Sequence, residues 1–152
     1  SSTLYNSVLL AGLKIVDRTH HSQPVGYVPL GRGATVYYGK IDFKFKNNTK
    51  APIIIVAKII GNQVTVSLLG KDEGRNIEVI TSKPKVLKPK VIVKEDESLS
   101  EGEREIIKAG KNGAEVLVRR IVKEGKKVIK EEVISNDIYL PVNTIIKINS
   151  KN

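Results

Sequence analysis

The sequence predicts an α+β chain dominated by antiparallel strands: one buried N-terminal helix against a sheet, then an elongated all-β module. Three observations lead there. The first sixteen residues carry apolar side chains at helical spacing around most of their circumference. The stretches that follow either alternate apolar and polar residues or run continuously in Ile and Val, two signatures of strands. From residue 83 onward the strand-like segments are short, heavily charged and separated by Gly-containing turns, with no convincing helical period.

Composition agrees. The 152 residues suffice for one domain or two small ones. Hydrophobic content is 40%, but aromatics are only 5% and Cys, Met and Trp are absent, so the core must be built from Ile, Val and Leu. Such β-branched side chains favour sheet over helix. Disulfides and Cys-based metal sites are excluded for this stretch. No apolar run approaches the roughly 20 residues that a membrane-spanning helix needs. The chain opens on Ser1-Ser2-Thr3 instead of Met and is read as a piece of a longer precursor.

Taken in order, Ser1 to Val16 should be helical, with Ser1 or Ser2 accepting a backbone N–H bond as cap. Leu4, Val8, Ala11 and Ile15 make one apolar stripe, and Tyr5, Leu9, Leu13 and Val16 the next. Asp17 to Arg32 is a turn-rich loop punctuated by Pro24, Gly26, Pro29, Gly31 and Gly33. Ala34 to Tyr38 suits a short strand, and Ile41, Phe43 and Phe45 alternate with polar residues as a half-buried one. The stretch from His20 to Asn48 holds both histidines and five of the seven aromatics, and the rest is organised around it. Ile53 to Ile60 is apolar apart from Lys58 and should be a central strand. Gly61-Asn62 fits a hairpin turn returning through Gln63 to Leu69. Asn76 to Ile80 follows as a strand.

Ser82 to Pro89, SKPKVLKP, suits an extended connector, and a domain boundary is placed here: 1–82, then 83–152. Beyond it come strands at Lys90 to Glu95 and Glu105 to Lys108, a turn at Gly110 to Gly113, and a hairpin of Glu115 to Val122 and Lys127 to Ile134 about Gly125. Asp137 to Asn143 crosses back, and Thr144 to Ile148 is the last strand.

The net charge of +10 suits nucleic acid, an anionic membrane or an acidic wall polymer as partner. Residues 1–82 carry 10 basic and 5 acidic side chains, and residues 83–152 carry 16 and 11. Each part is thus +5 with its signs interleaved, the pattern of a solvated face. The basic residues lack an aromatic-studded sheet or a recognition helix, so no specific nucleic-acid partner is expected. Gly31-Arg32-Gly33 lacks the downstream Gly-Lys-Ser/Thr and helix of a phosphate loop and reads as a turn.

Two resemblances cover nearly the whole chain. Ser1-Ser2-Thr3-Leu4-Tyr5-Asn6, Ala11-Gly12-Leu13, His21-Ser22, Tyr27-Val28-Pro29-Leu30-Gly31, Ala34-Thr35-Val36, Tyr38-Gly39, Asp42-Phe43 and Asn47-Asn48-Thr49 resemble the C-terminal part of a VanW-like domain, truncated at its N-terminus, over residues 1–82. Gly102, the Gly110-to-Gly113 turn, Gly125 and Tyr139-Leu140-Pro141-Val142-Asn143-Thr144 resemble a G5 domain over residues 83–152. The VanW-like pattern carries an acid at the position of Gly33 and a cysteine just before the position of Ser1. The resemblance implies an extracytoplasmic protein of the bacterial cell wall or surface, in a Gram-positive envelope. VanW-like domains accompany glycopeptide (vancomycin) resistance genes. G5 domains occur in wall-associated enzymes and adhesins, and are proposed to bind N-acetylglucosamine-containing polymers.

The preferred function is therefore non-catalytic binding to peptidoglycan or another cell-wall glycan, with no cofactor. Tyr139 and Pro141 are the best-placed glycan contacts, since an aromatic face stacks on a sugar ring; the competing role for Tyr139 is to close an apolar seam. Arg119 and Arg120 either meet an anionic wall polymer or pair with Glu131 and Glu132 across the hairpin. The first alternative is a cysteine-dependent peptidoglycan amidase or transpeptidase-like enzyme whose nucleophile lies upstream of Ser1 at a helix start, where a thiolate is stabilised. In it His21 is the catalytic base and Asp42 its orienting acid. Otherwise His21 makes a structural hydrogen bond and Asp42 pairs with Lys40 or Lys44. A structural spacer is the second alternative. Adjacent His20 and His21 point apart on extended chain and find no third ligand, so no metal is expected.

Overall fold

The computed structural model describes residues 1–150. Helix α1 spans Ser2–Leu10, shorter than the sixteen-residue helix expected. Gly12 stops it. With φ at +72° it takes the left-handed conformation, Gly12 N–H donates to Leu9 O, and Leu13 N–H donates to Val8 O. That is a Schellman closure, which Gly allows without Cβ strain. Tyr5, Val8 and Leu9 are buried while Leu10 is half exposed, so the helix is covered on one side. Ser1 and Ser2 do not cap it. Their hydroxyls bond Ala34 instead: Ser1 Oγ donates to Ala34 O at 2.5 Å, and Ser2 Oγ accepts from Ala34 N at 3.0 Å.

Beyond Gly12 the β-branched Ile15 and Val16 extend into β1 (Lys14–Asp17), antiparallel to β2 (Lys44–Lys46) with Ile15 opposite Phe45. The segments expected as strands at 34–38 and 41–46 are mostly looser. Thr19 bridges Thr35, Tyr37 bridges Ile41, and ladder pairing is confined to β2. Alternation still sorts the side chains: Ile41, Phe43 and Phe45 are half-buried, while Asp42, Lys44 and Lys46 are exposed.

β3 (Ile54–Ile60) and β4 (Gln63–Leu69) form the hairpin foreseen about Gly61-Asn62. β3 is not central. It pairs with β4 alone, and Ile54, Ile59 and Ile60 are 63–75% exposed. An apolar run signals burial on both faces only where layers exist on both sides; here α1 lies on the β4 side, with Ser7 Oγ donating to Val66 O at 2.8 Å.

β5 (Arg75–Thr81) runs antiparallel to the later part of β9 (Gly113–Glu124), from Arg75 opposite Glu124 to Thr81 opposite Val118. β6 (Lys85–Leu87) pairs with the start of β9, so the Pro-flanked connector is extended but hydrogen-bonded. β9 turns at Gly125 into β10 (Lys127–Tyr139), and the hairpin is longer than the sequence suggested. β7 (Val91–Glu95), β8 (Arg104–Lys108) and β11 (Thr144–Ile148) form a three-stranded sheet in the order β7-β11-β8, with β7 parallel and β8 antiparallel to β11.

Packing divides the chain into two units whose segments alternate along the sequence. The first unit holds Ser1–His21, Val25–Lys83 and Val116–Asp137; the second holds Ser22–Pro24, Pro84–Glu115 and Ile138–Asn152. The hairpin segment 116–137 thus packs with the N-terminal part. The first unit's core is Tyr5, Leu9 and Ala34, with Ile15, Phe43, Val79 and Ile134 against them. Tyr5 meets Phe43 edge-on, at 5.6 Å between ring centroids. In the second unit every residue of β7 and β8 is exposed, leaving little apolar surface out of water there. Among the described residues no helix is long and apolar enough to cross a membrane.

Candidate functional site

The polar chemistry of the first unit gathers around Gly33 and Ala34. Arg18, just past β1, donates from Nε to Gly33 O at 2.8 Å and from Nη2 to the same oxygen. Its Nη1 meets Asp137 Oδ1 at 2.6 Å, and both side chains are almost wholly out of solvent, 5% and 2% exposed. A buried ion pair must fill its hydrogen-bonding positions to be tolerated; Ser135 Oγ takes a further Arg18 bond at 3.3 Å. The Arg18 guanidinium also lies over the Tyr5 ring, 4.7 Å from its centroid. Burial pushes the Tyr5 hydroxyl above the ordinary tyrosine range, with Arg18 opposing and Asp137 adding to the rise. Arg32 beside it donates from Nε to Asn6 Oδ1 at 2.5 Å, while Asn6 Nδ2 returns a bond to Arg32 O at 2.8 Å. Burial lowers the Arg32 pKa, with Tyr5 acting the other way.

His21 stands on the other side of Gly33. A Cβ at position 33 would collide with the His21 ring at Nδ1, so glycine is what lets the imidazole lie there. The His21 Nε2 shares a hydrogen bond with the Tyr27 hydroxyl at 2.9 Å, the two rings perpendicular. His21 thus bonds Tyr27, where the enzyme alternative pairs it with Asp42. Asp42 pairs with neither Lys40 nor Lys44: its Oδ1 accepts from its own neighbour, Phe43 N, at 3.0 Å. Lys44 reaches Asp17 instead, and Lys40 sits over the Tyr37 ring. Asp42 lies between the Tyr37–Ile41 bridge and the start of β2, where the Phe43 N–H is left for its carboxylate to accept. His20 Nδ1 contacts His21 O at 2.6 Å. Among the described residues no group of three or more His, Cys, Asp or Glu converges as metal ligands would.

The arginines of β9 part ways. Arg119 is exposed and pairs with Glu131 at 2.8 Å. Arg120, which the sequence offered to a wall polymer, is 3% exposed and enclosed. Its Nε and Nη2 bind Glu132 Oε1 at 2.9 and 2.7 Å, and its Nη1 donates to Leu9 O and Leu13 O at 3.2 and 2.9 Å. Arg120 thus adds a second donor to Leu9 O at the end of α1 and bonds Leu13 O just beyond it. Glu132 is partly buried, which alone would raise its pKa; the bonds from Lys130 and Arg120 outweigh this and hold it below the usual range. Beside the end of α1 lies a cleft of about 550 Å³ floored by Leu10, Leu68, Ile77 and Val122, with Arg75, Lys130 and Glu132 on its rim already engaged in ion pairs.

In the second unit Tyr139 is 2% exposed, so its ring presents no face to a sugar. It ends β10 beside Gly113, where any Cβ would strike Tyr139 O. Pro141 is half-buried. Asp96 accepts from Lys147 Nζ at 2.5 Å and from Ser98, which holds its carboxyl well below the usual range and raises the lysine.

Sequence reasoning missed Arg18, Asp137, Tyr27 and the close approach at Gly33. Arg18 follows Lys14–Asp17, a strand that is itself half charged, so no local pattern singled it out.

Residues 1–69 match the family model described as VanW like protein, and residues 78–151 match that of the G5 domain. The VanW-like region is the N-terminal part of this chain and the G5 region follows it. The uncharacterized protein YoaR of Bacillus subtilis (strain 168) is 49% identical over 72 residues, which are 47% of this chain and 24% of that protein. The chain thus spans about a quarter of that relative's length. Among solved structures, the IgA1 protease G5 domain aligns with a TM-score of 0.40 at 20% identity, covering 51% of this chain and 94% of that one. The crystal structure of HP0197-G5 aligns with a TM-score of 0.32 at 23% identity, covering 49% and 97%.

Proposed function

We propose that this chain is a non-catalytic, envelope-associated binding module that attaches to peptidoglycan or another N-acetylglucosamine-containing wall polymer outside the cytoplasm. The observation that carries this reading is the succession of a VanW-like and a G5 region in one chain. G5 domains are proposed to hold such polymers. The state of the two would-be catalytic residues also supports it: His21 is bonded to Tyr27 and Asp42 to its own neighbour's backbone. The charge of +10 favours approach to an anionic wall without giving specificity.

Co-sedimentation of the chain with purified insoluble peptidoglycan across a salt series tests the reading. Retention that persists at high salt supports recognition of the polymer. Retention only at low salt reduces it to charge, because exposed charges are screened within about 10 Å at 0.1 M salt, and would leave the chain as a spacer.

A further inference from the structure

The geometry points to the Tyr37–Tyr38 turn of the first unit, with Lys40 beside it, as a platform on which sugar rings of an anionic glycan stack. This inference rests on the wall-polymer reading above and moves its contact away from Tyr139. The chain has seven aromatic rings. Tyr5 and Tyr139 are buried. Phe43 and Phe45 are half-buried, stacked on each other, with Phe43 against Tyr5. The exposed rings are Tyr27, Tyr37 and Tyr38, at 72%, 59% and 100%, and all three belong to the first unit. The second unit's single aromatic is Tyr139. A sugar that needs an aromatic face finds none in the G5 region.

Tyr27 is already committed, since its hydroxyl is tied to His21. Tyr37 and Tyr38 are not. Their hydroxyls make no hydrogen bond among the described residues, and Tyr38 is wholly in solvent. The backbone beneath them is nonetheless ordered: Tyr37 N–H bonds Ile41 O, and Ile41 N–H and Lys40 N–H both bond Tyr37 O, each at 2.9 Å. A tyrosine on a fixed backbone loses only two side-chain torsions on binding, which makes it an economical contact. Lys40 Nζ lies 5.5 Å from the Tyr37 centroid and forms no ion pair among the described residues. Its ammonium is placed to meet a carboxylate or phosphate on a polymer whose ring lies along the tyrosines.

The experiment uses the intact chain and insoluble peptidoglycan, prepared with and without its covalently attached phosphate polymers. Tyr37→Ala/Tyr38→Ala is compared with Lys40→Gln and with Tyr27→Phe as a control; all change exposed side chains, and circular dichroism checks their folding. Tyrosine emission gives a second readout, because the chain has no Trp. The expected result is about a tenfold loss of affinity in the double tyrosine variant, a flatter salt dependence in Lys40→Gln, and no change in Tyr27→Phe. Retained binding after removal of the phosphate polymers would assign the anionic group to peptidoglycan carboxylates, and lost binding to the phosphates. Wild-type binding that persists at high salt and is equalled by the double variant would overturn the platform and leave the wall-binding reading standing. No binding by the wild type at all would overturn both.

Discussion

Arg18 Nη1 and Asp137 Oδ1 meet at 2.6 Å across 119 positions of sequence, and neither side chain is more than 5% exposed. The same guanidinium holds Gly33 O and covers the Tyr5 ring. The pair therefore fastens the end of the long hairpin's first-unit segment to the loop that carries His21. Removing one partner of a buried pair strands the other charge, at a cost of about 3–5 kcal/mol. Asp137→Ala should lose that much in urea unfolding, whereas the double change Arg18→Met/Asp137→Leu should lose distinctly less. Equal losses in the two variants would show that the ion pair is not the reason.

Arg119 and Arg120 are neighbours with opposite expected sensitivities. Arg119→Ala removes an exposed pair and should change stability by no more than about 1 kcal/mol. Arg120→Ala strips donors from Leu9 O and Leu13 O and leaves the partly buried Glu132 with Lys130 alone, so a loss of about 3 kcal/mol is expected. Arg120→Lys should recover little of it, because one ammonium cannot span a carboxylate and two carbonyls. Denaturant midpoints of the three variants decide the matter; parity between Arg119→Ala and Arg120→Ala would refute the role given to Arg120.

Gly33 and His21 form a steric couple. Gly33→Ala should push the imidazole off its site and break its bond to Tyr27. The strain should vanish in Gly33→Ala/His21→Ala, so the double variant is expected to be more stable than Gly33→Ala alone, a coupling of the kind that contacting residues show. The His21 ring signals in NMR provide the direct check: unchanged shifts in Gly33→Ala would contradict the couple.

Much of the fold was legible because periodicity reports local surroundings. The alternation of Ile41, Phe43 and Phe45 with charged residues, the Gly61-Asn62 turn and the Gly125 turn each translate directly into observed geometry. The helix end was not, because a glycine within an apolar helical pattern does not by itself stop a helix; the stop comes from Gly12 taking a φ of +72°. Nor was the site. Arg18 and Asp137 are joined by tertiary folding, and no spacing rule connects residues that far apart. Arg120 illustrates the limit. Its pairing with Glu132 across the hairpin could be foreseen, but its burial depends on α1 ending where it does.

Acid should weaken the fold through two carboxylates. Asp96 and Glu132 are both held below their ordinary pKa in the folded chain, Asp96 by Lys147 and Ser98, Glu132 by bonds that outweigh its burial. A folded-state pKa below the unfolded value means that the ionised form favours folding. The contribution is present above the unfolded pKa of about 4 and is lost as pH falls through the folded one. Asp96→Asn should therefore be less stable than wild type near neutrality, with the gap closing in strong acid. A gap that stayed constant from neutral pH down would exclude this linkage.

The β3–β4 hairpin separates an apolar sequence from an apolar surroundings. Ile59 is 75% exposed and Ile60 72%, on a strand that pairs on one edge alone. Were β3 central, Ile59→Lys would bury a charge and unfold the chain. In the observed arrangement the new ammonium reaches water directly, and the change should stay within about 0.5 kcal/mol of wild type. It should also raise solubility, since a seven-residue edge with one charge, Lys58, is a template for unwanted strand pairing. Val56, the half-buried residue of β3, should be less tolerant of the same change. Thermal unfolding of Ile59→Lys beside Val56→Lys tests this ordering, and a severe loss in Ile59→Lys would mean that another layer covers this face of the hairpin in solution.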